Sequence, residues 1–206
     1  MKKLLNTKAT ICSVLFLWHI AVFAEQGQNT YQLCTACHGA NGEGNRALKS
    51  PALAGQFDWY LQRQLNHFSK DIRASDTRDT NGKMMQPFAT QLTDPEQIAQ
   101  LLNYINSFDA VSFKGSTEGS LKNGSRYYQA KCGACHGGKA QGNEAFSAPK
   151  LAGQDPQYLL LQMTNFQQGI RGTHQQDKYG RQMAIMAKSV SEQELQDIIF
   201  YITEQP

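Results

Sequence analysis

Two pentapeptides carry the chemistry of this chain: Cys34-Thr35-Ala36-Cys37-His38 and Cys132-Gly133-Ala134-Cys135-His136. Cysteines three apart can each take one vinyl group of a haem as a thioether, and the histidine that follows then meets the iron from the proximal side. Two copies point to two covalently bound haem c groups, attached through Cys34, Cys37, Cys132 and Cys135 and ligated by His38 and His136. A disulfide within each Cys-x-x-Cys pair is the competing use in an exported chain, but the adjoining histidine favours haem.

The second axial ligand must come from later in the chain, where the candidates are Met84, Met85, Met183, Met186, His67 and His174. Internal symmetry arbitrates. Met85 follows His38 by 47 residues and Met183 follows His136 by 47, whereas Met84 would map to Gln182 and Met186 to Phe88. Met85 and Met183 are therefore the expected ligands, and their neighbours are read as gap-filling core methionines. His67 and His174 have no repeat partner; the first is expected as a satisfied polar residue on a helix and the second in an exposed loop. Pro51 and Pro149 each follow the proximal histidine by 13 residues, placed to hold a carbonyl against its Nδ1 proton. Arg73 and Arg171 recur in register, as do Lys83 and Arg181, and are candidate partners for haem propionates.

The elements that must position these residues are also written twice. An offset of 98 relates the pentapeptides, Pro51-Ala52-Leu53-Ala54-Gly55-Gln56 to Pro149-Lys150-Leu151-Ala152-Gly153-Gln154, and Tyr60, Leu61, Gln64 and Phe68 to Tyr158, Leu159, Gln162 and Phe166. Such recurrence marks a tandem duplication of a small domain whose modest core depends on its haem. The apolar spacing is helical throughout, so the fold class is all-α. Asp155-Pro156 reads as a helix start, and Thr93 to Glu96 and Ser191 to Glu194 read as capping boxes opening the last helix of each unit. The expected division is an export signal over 1–24, a first haem domain over 25–112, a connector over 113–120 and a second haem domain over 121–206. Lys2, Lys3 and Lys8, the apolar run Ile11 to Phe23 and the small-residue site at Val22-Phe23-Ala24 support cleavage near Ala24, with Cys12 discarded; a retained membrane anchor is the alternative.

The full chain holds 20 Lys and Arg against 17 Asp and Glu; without the three leading lysines the two counts are equal. A neutral mature chain gives no reason to expect a nucleic-acid partner. The residual charge is acidic in the first unit and basic in the second, a dipole that could orient the molecule on its redox partners.

Taken together, the two Cys-x-x-Cys-His motifs, the Pro-x-Leu-Ala-Gly-Gln segments, Met85 and Met183, and closing helices ending near Tyr104 and Tyr201 resemble tandem class I c-type cytochromes, most closely the dihaem cytochrome c4 group. The resemblance covers the whole mature chain. It implies a periplasmic electron carrier rather than an enzyme, running from a quinol-oxidising complex (a quinol-cytochrome c reductase) toward a terminal oxidase, with membrane association through partners. The two haem domains would then face each other through their propionate edges. The family places a glycine and an aromatic eight and four residues before the first cysteine. Gly124 and Tyr128 match before Cys132, but Gln26 and Thr30 stand there before Cys34, and Tyr31 takes the aromatic place only after a local shift. The competing functions are the electron-accepting subunit of a periplasmic dehydrogenase and a dihaem peroxidase.

Overall fold

The computed structural model describes residues 25–206, so the expected export signal, its cleavage site and Cys12 lie outside the described residues. Within them the protein is helical; the only β-type pairings are two isolated bridges, Asn45 with Ser50 and Asn143 with Ala148. The first unit holds α1 (residues 25–31), α2 (Thr35–His38), α3 (Asp58–Ser69), α4 (Thr80–Gln91) and α5 (Pro95–Ile105). The second repeats this order as α6 (Leu121–Lys131), α7 (Gly133–His136), a 3-10 turn (Glu144–Phe146), α8 (Pro156–Gln167), α9 (Lys178–Ala187) and α10 (Glu192–Thr203). Among the described residues no helix is long and apolar enough to cross a membrane.

In each unit the first helix crosses the last at a glycine. A Cβ on Gly27 would sit 2.4 Å from the Gln100 carbonyl oxygen, and one on Gly124 would sit 2.0 Å from that of Asp197. Only a residue without a side chain lets the two backbones approach this closely. One turn further on, Tyr31 and Tyr128 are almost wholly buried, and their hydroxyls donate to the Gly39 and Gly137 carbonyls at 2.7 and 2.8 Å. The local shift expected at Tyr31 is therefore present. Gly27 and Tyr31 precede Gly124 and Tyr128 by 97 residues rather than 98, and the missing residue is absorbed in the turn 32–34, where the second unit continues its helix.

The capping expectations fare differently. Asp155 accepts from the Gln157 and Tyr158 amides with Pro156 in the first helical position, and Ser191 and Glu194 form a reciprocal capping box. Thr93 and Glu96 do not. Pro95 disfavours a helical conformation at Asp94, which stays extended (ψ 120°) and itself caps α5 by accepting from the Glu96 amide.

The units meet along α3, α8 and the loops that flank them. Arg46 Nε lies 2.8 Å from Asp155 Oδ2, and Arg63 donates to the Ser147 carbonyl at 3.0 Å. Residues 109–120, which contain no helix, connect the units and are pinned to α10 and its C-cap, with the Gly115 amide donating to Glu204 and the Ser120 amide to Asp197. The Arg46 side chain is 48% exposed, so Arg46→Ala is expected to cost under ~1 kcal/mol in urea unfolding. Asp155→Ala also removes the α8 cap and is expected to cost roughly 2 kcal/mol. Equal costs for the two would show that the cap contributes nothing.

Candidate cofactor sites

Each pentapeptide folds as a single helical turn. The His38 and His136 amides donate to the Cys34 and Cys132 carbonyls at 2.8 and 2.9 Å, and Gly39 and Gly137, at φ +82° and +78°, end the turn in a conformation that suits glycine. Both imidazoles are 5% exposed. Nδ1 of His38 lies 2.9 Å from the Pro51 carbonyl oxygen, and Nδ1 of His136 lies 2.9 Å from that of Pro149. A carbonyl can only accept, so Nδ1 carries the proton in both rings and Nε2 keeps a free lone pair. Burial holds both imidazoles below the ordinary histidine pKa, partly offset by the bond to the proline carbonyl, so both are neutral at pH 7.

In the first domain these groups form one wall of an apolar cleft whose other walls include Leu61, Leu65, Phe68, Leu101 and Ile105. Met84 and Met85, on α4, both line it. Met84 is 58% exposed, whereas Met85 is half-buried against Phe68, Ala74 and Ala89. In the second domain Met183 is half-buried on α9 and Met186 is 42% exposed.

Arg73 and Arg171 come together across the domain interface. Arg73 donates to Gln64 Oε1 of its own domain at 2.6 Å and to Tyr158 Oη and Gln162 Oε1 of the other at 2.9 and 3.3 Å. Arg171 mirrors it, reaching Gln162 at 2.7 Å, Gln64 at 3.3 Å and Tyr60 at 3.5 Å. The guanidiniums lie over Phe68 and Phe166, 4.5 and 4.6 Å from the ring centroids. Burial works to raise the Tyr60 pKa, but the Arg171 and Arg73 charges beside it outweigh burial and hold the phenol below its usual value.

This arrangement fits haem. The cleft is apolar where a macrocycle would lie and runs into the interface at Gln154, Tyr158 and Gln162. Among the described residues, both arginines carry a buried Nε with no partner, and neither guanidinium forms an ion pair with a carboxylate. Propionates would answer both deficits. Lys83 and Arg181 do not join them: Lys83 Nζ pairs with Asp71 at 3.2 Å near the surface, and Arg181 donates to the Gln175 carbonyl in an exposed loop. His67 is half-buried at the interface, 3.8 Å from Asp177 of the second unit, while the His174 ring accepts from the Gln176 amide in a loop.

Sequence reasoning did not assign the cross-domain roles of Gln56, Tyr60, Gln64 and their repeats. Their in-register recurrence was the available signal, since polar side chains repeated on a mostly apolar surface need a partner.

A family model described as cytochrome c matches residues 24–109 and again 121–205. The chain is 31% identical, over 87% of its length and 82% of the relative's, to the thiosulfate dehydrogenase electron acceptor of Stutzerimonas stutzeri (strain A1501). It is 32% identical to the Cbb3-type cytochrome c oxidase subunit CcoP of Azospirillum brasilense, over 73% of this chain and 56% of that one. Among solved structures it is similar to Acidithiobacillus ferrooxidans cytochrome c4, with a TM-score of 0.68 and 28% identity over 84% of this chain and 98% of that one. Two covalent haem c groups and electron transfer go with that membership. The chain belongs to the cytochrome c family, carrying two of its domains in tandem as the cytochromes c4 do.

Proposed function

We propose that this protein is a periplasmic carrier of single electrons in which His38 and Met85 ligate one iron and His136 and Met183 the other. One observation carries the reading: two buried, neutral imidazoles have Nδ1 committed to a proline carbonyl and Nε2 bare, and Met85 lines the same cleft as His38. When bound, the two haems supply one-electron ferric/ferrous couples, and thioether ligation favours the ferrous form. The chain's residues do the rest. Pro51 and Pro149 orient the imidazoles, the apolar walls exclude water, and Arg73 and Arg171 hold the propionates where the domains meet. Two protein ligands on each iron would leave no position for peroxide, so this ligand set supports a carrier over a peroxidase.

In this reading residues 1–24 are an export signal, 113–120 join domains 25–112 and 121–206, and electrons pass from a quinol-oxidising complex to a terminal oxidase. A second reading makes the chain the electron-accepting partner of a dehydrogenase. It is favoured by the 31% identical relative whose name states that role. Purification from the native source distinguishes them, because the second requires a stoichiometric catalytic subunit.

The axial assignment has its own test. Met85→Ala is expected to abolish half of the near-infrared sulfur-to-iron absorption and open one iron to carbon monoxide. It should also lower one potential by roughly 0.1–0.3 V, part of the roughly 0.8 V that axial ligation spans. An unchanged near-infrared band would exclude Met85 as a ligand.

A further inference from the structure

The Pro51–Ala52 peptide is hydrogen-bonded at both ends. Its carbonyl accepts from His38 Nδ1 at 2.9 Å, and its N–H donates to Oε1 of Gln154, a residue of the other domain, at 2.8 Å. Nε2 of Gln154 donates back to the Ala52 carbonyl at 3.0 Å, and its Oε1 also accepts from the Asp155 amide, so the side chain is held in place from both sides. The mirror contact exists. The Pro149 carbonyl accepts from His136, the Lys150 N–H donates to Gln56 Oε1 at 3.2 Å, and Gln56 Nε2 donates to the Lys150 carbonyl at 2.9 Å.

An amide that donates at its N–H becomes a stronger acceptor at its carbonyl oxygen. A stronger acceptor draws the Nδ1 proton further from the ring and makes Nε2 a better electron donor. Better donation stabilises the ferric state and lowers the reduction potential.

We propose that Gln154 and Gln56 are positioning residues that act across the interface, each setting through one shared peptide how strongly the other domain's proximal histidine donates to its iron. This rests on the ligation of iron by His38 and His136 given above. Two consequences are specific to it. A change in one domain alters the couple of the other, and the effect is larger on the first-domain haem, because the bond from Ala52 is shorter and fully buried while that from Lys150 is longer and partly exposed.

The test is a spectroelectrochemical titration of the holoprotein, with each couple assigned by NMR. Gln154→Leu should raise the first-domain potential, shifting the electron distribution between the haems toward the first domain by roughly two- to tenfold, and leave the second-domain couple in place. Gln154→Asn, which withdraws the amide by one methylene, should act in the same direction if the leucine variant folds poorly. Gln56→Leu should raise only the second-domain potential, and by less. The His38 Nδ1–H resonance should move in the Gln154 variants while that of His136 stays. Movement of both couples together, of the mutated domain's own couple, or of neither would overturn the proposal. Absence of a paramagnetically shifted His38 Nδ1–H in the wild-type ferric protein would instead overturn the ligation itself.

Discussion

Replacing Cys132 and Cys135 by Ser is expected to unfold the second domain and release the first from its docked position. A domain of this size holds on the order of 5–10 kcal/mol of net stability. In the first domain the cleft walls include Leu61, Phe68 and Leu101, each of which also packs in a core cluster, so an unfilled cleft hollows out the core. Cavities the size of one leucine cost roughly 3–5 kcal/mol, and a macrocycle leaves a space several times larger. Electrostatics adds to the loss. Arg73 and Arg171 share the same two glutamine oxygens, with no carboxylate of the described residues between them, so without propionates two like charges face each other at a poorly hydrated interface. An uncompensated buried charge costs about 3–5 kcal/mol. Far-UV circular dichroism should show about half of the helix signal gone, and limited proteolysis should release an intact first domain. The corresponding change at Cys34 and Cys37 should invert that pattern. Full helicity and protease resistance in either variant would show that the helices hold together without their cofactor.

The second large effect is expected at the helix crossings. In Gly124→Ala the new methyl would meet the Asp197 carbonyl oxygen at 2.0 Å, its carbonyl carbon at 2.7 Å and the Tyr201 Cβ at 2.9 Å. None of these is the end of a flexible side chain, so α6 and α10 must move apart. Separation would loosen the packing of Tyr128 against Tyr201, whose ring centroids lie 5.1 Å apart, and the bond that Tyr128 makes to Gly137 just after the haem-attachment turn. A cost of about 3 kcal/mol or more follows from overpacking, a fall of roughly 6–12 °C in Tm. Gly27→Ala should behave alike. Gly115→Ala makes a useful contrast: no atom would lie within 4 Å of the new methyl, and only the strain of φ +71° remains, about 1 kcal/mol. Equal losses at Gly115 and Gly124 would refute the close-approach argument.

These sites differ in how visible they were beforehand. The pentapeptides, the prolines and the methionines could be paired by arithmetic because insertions are absent between them. The opening helix of the first unit could not, since one residue is missing between Tyr31 and Cys34, and the eye set to 98 passes over Gly27. The start of α5 was misplaced for a related reason. Thr93-x-x-Glu96 satisfies the pattern of a reciprocal cap, but the steric demand of Pro95 on its predecessor moves the cap to Asp94. The interface was the least legible part. Gln56 bonds to the backbone of Lys150, and Gln154 to that of Ala52, so the partners are backbone groups that leave no trace in residue type.

The pairwise mirroring of that interface, with Gln56 on Lys150 as Gln154 is on Ala52 and Arg73 on Gln162 as Arg171 is on Gln64, is the geometry of an isologous contact, the kind that closes a twofold homodimer. Two separate half-length chains could form the same contact, but its occupancy would then depend on their concentration. Joining them through one connecting segment makes the encounter unimolecular and independent of protein concentration. The contact is thereby kept closed at any protein concentration, and the two sequences are free to differ.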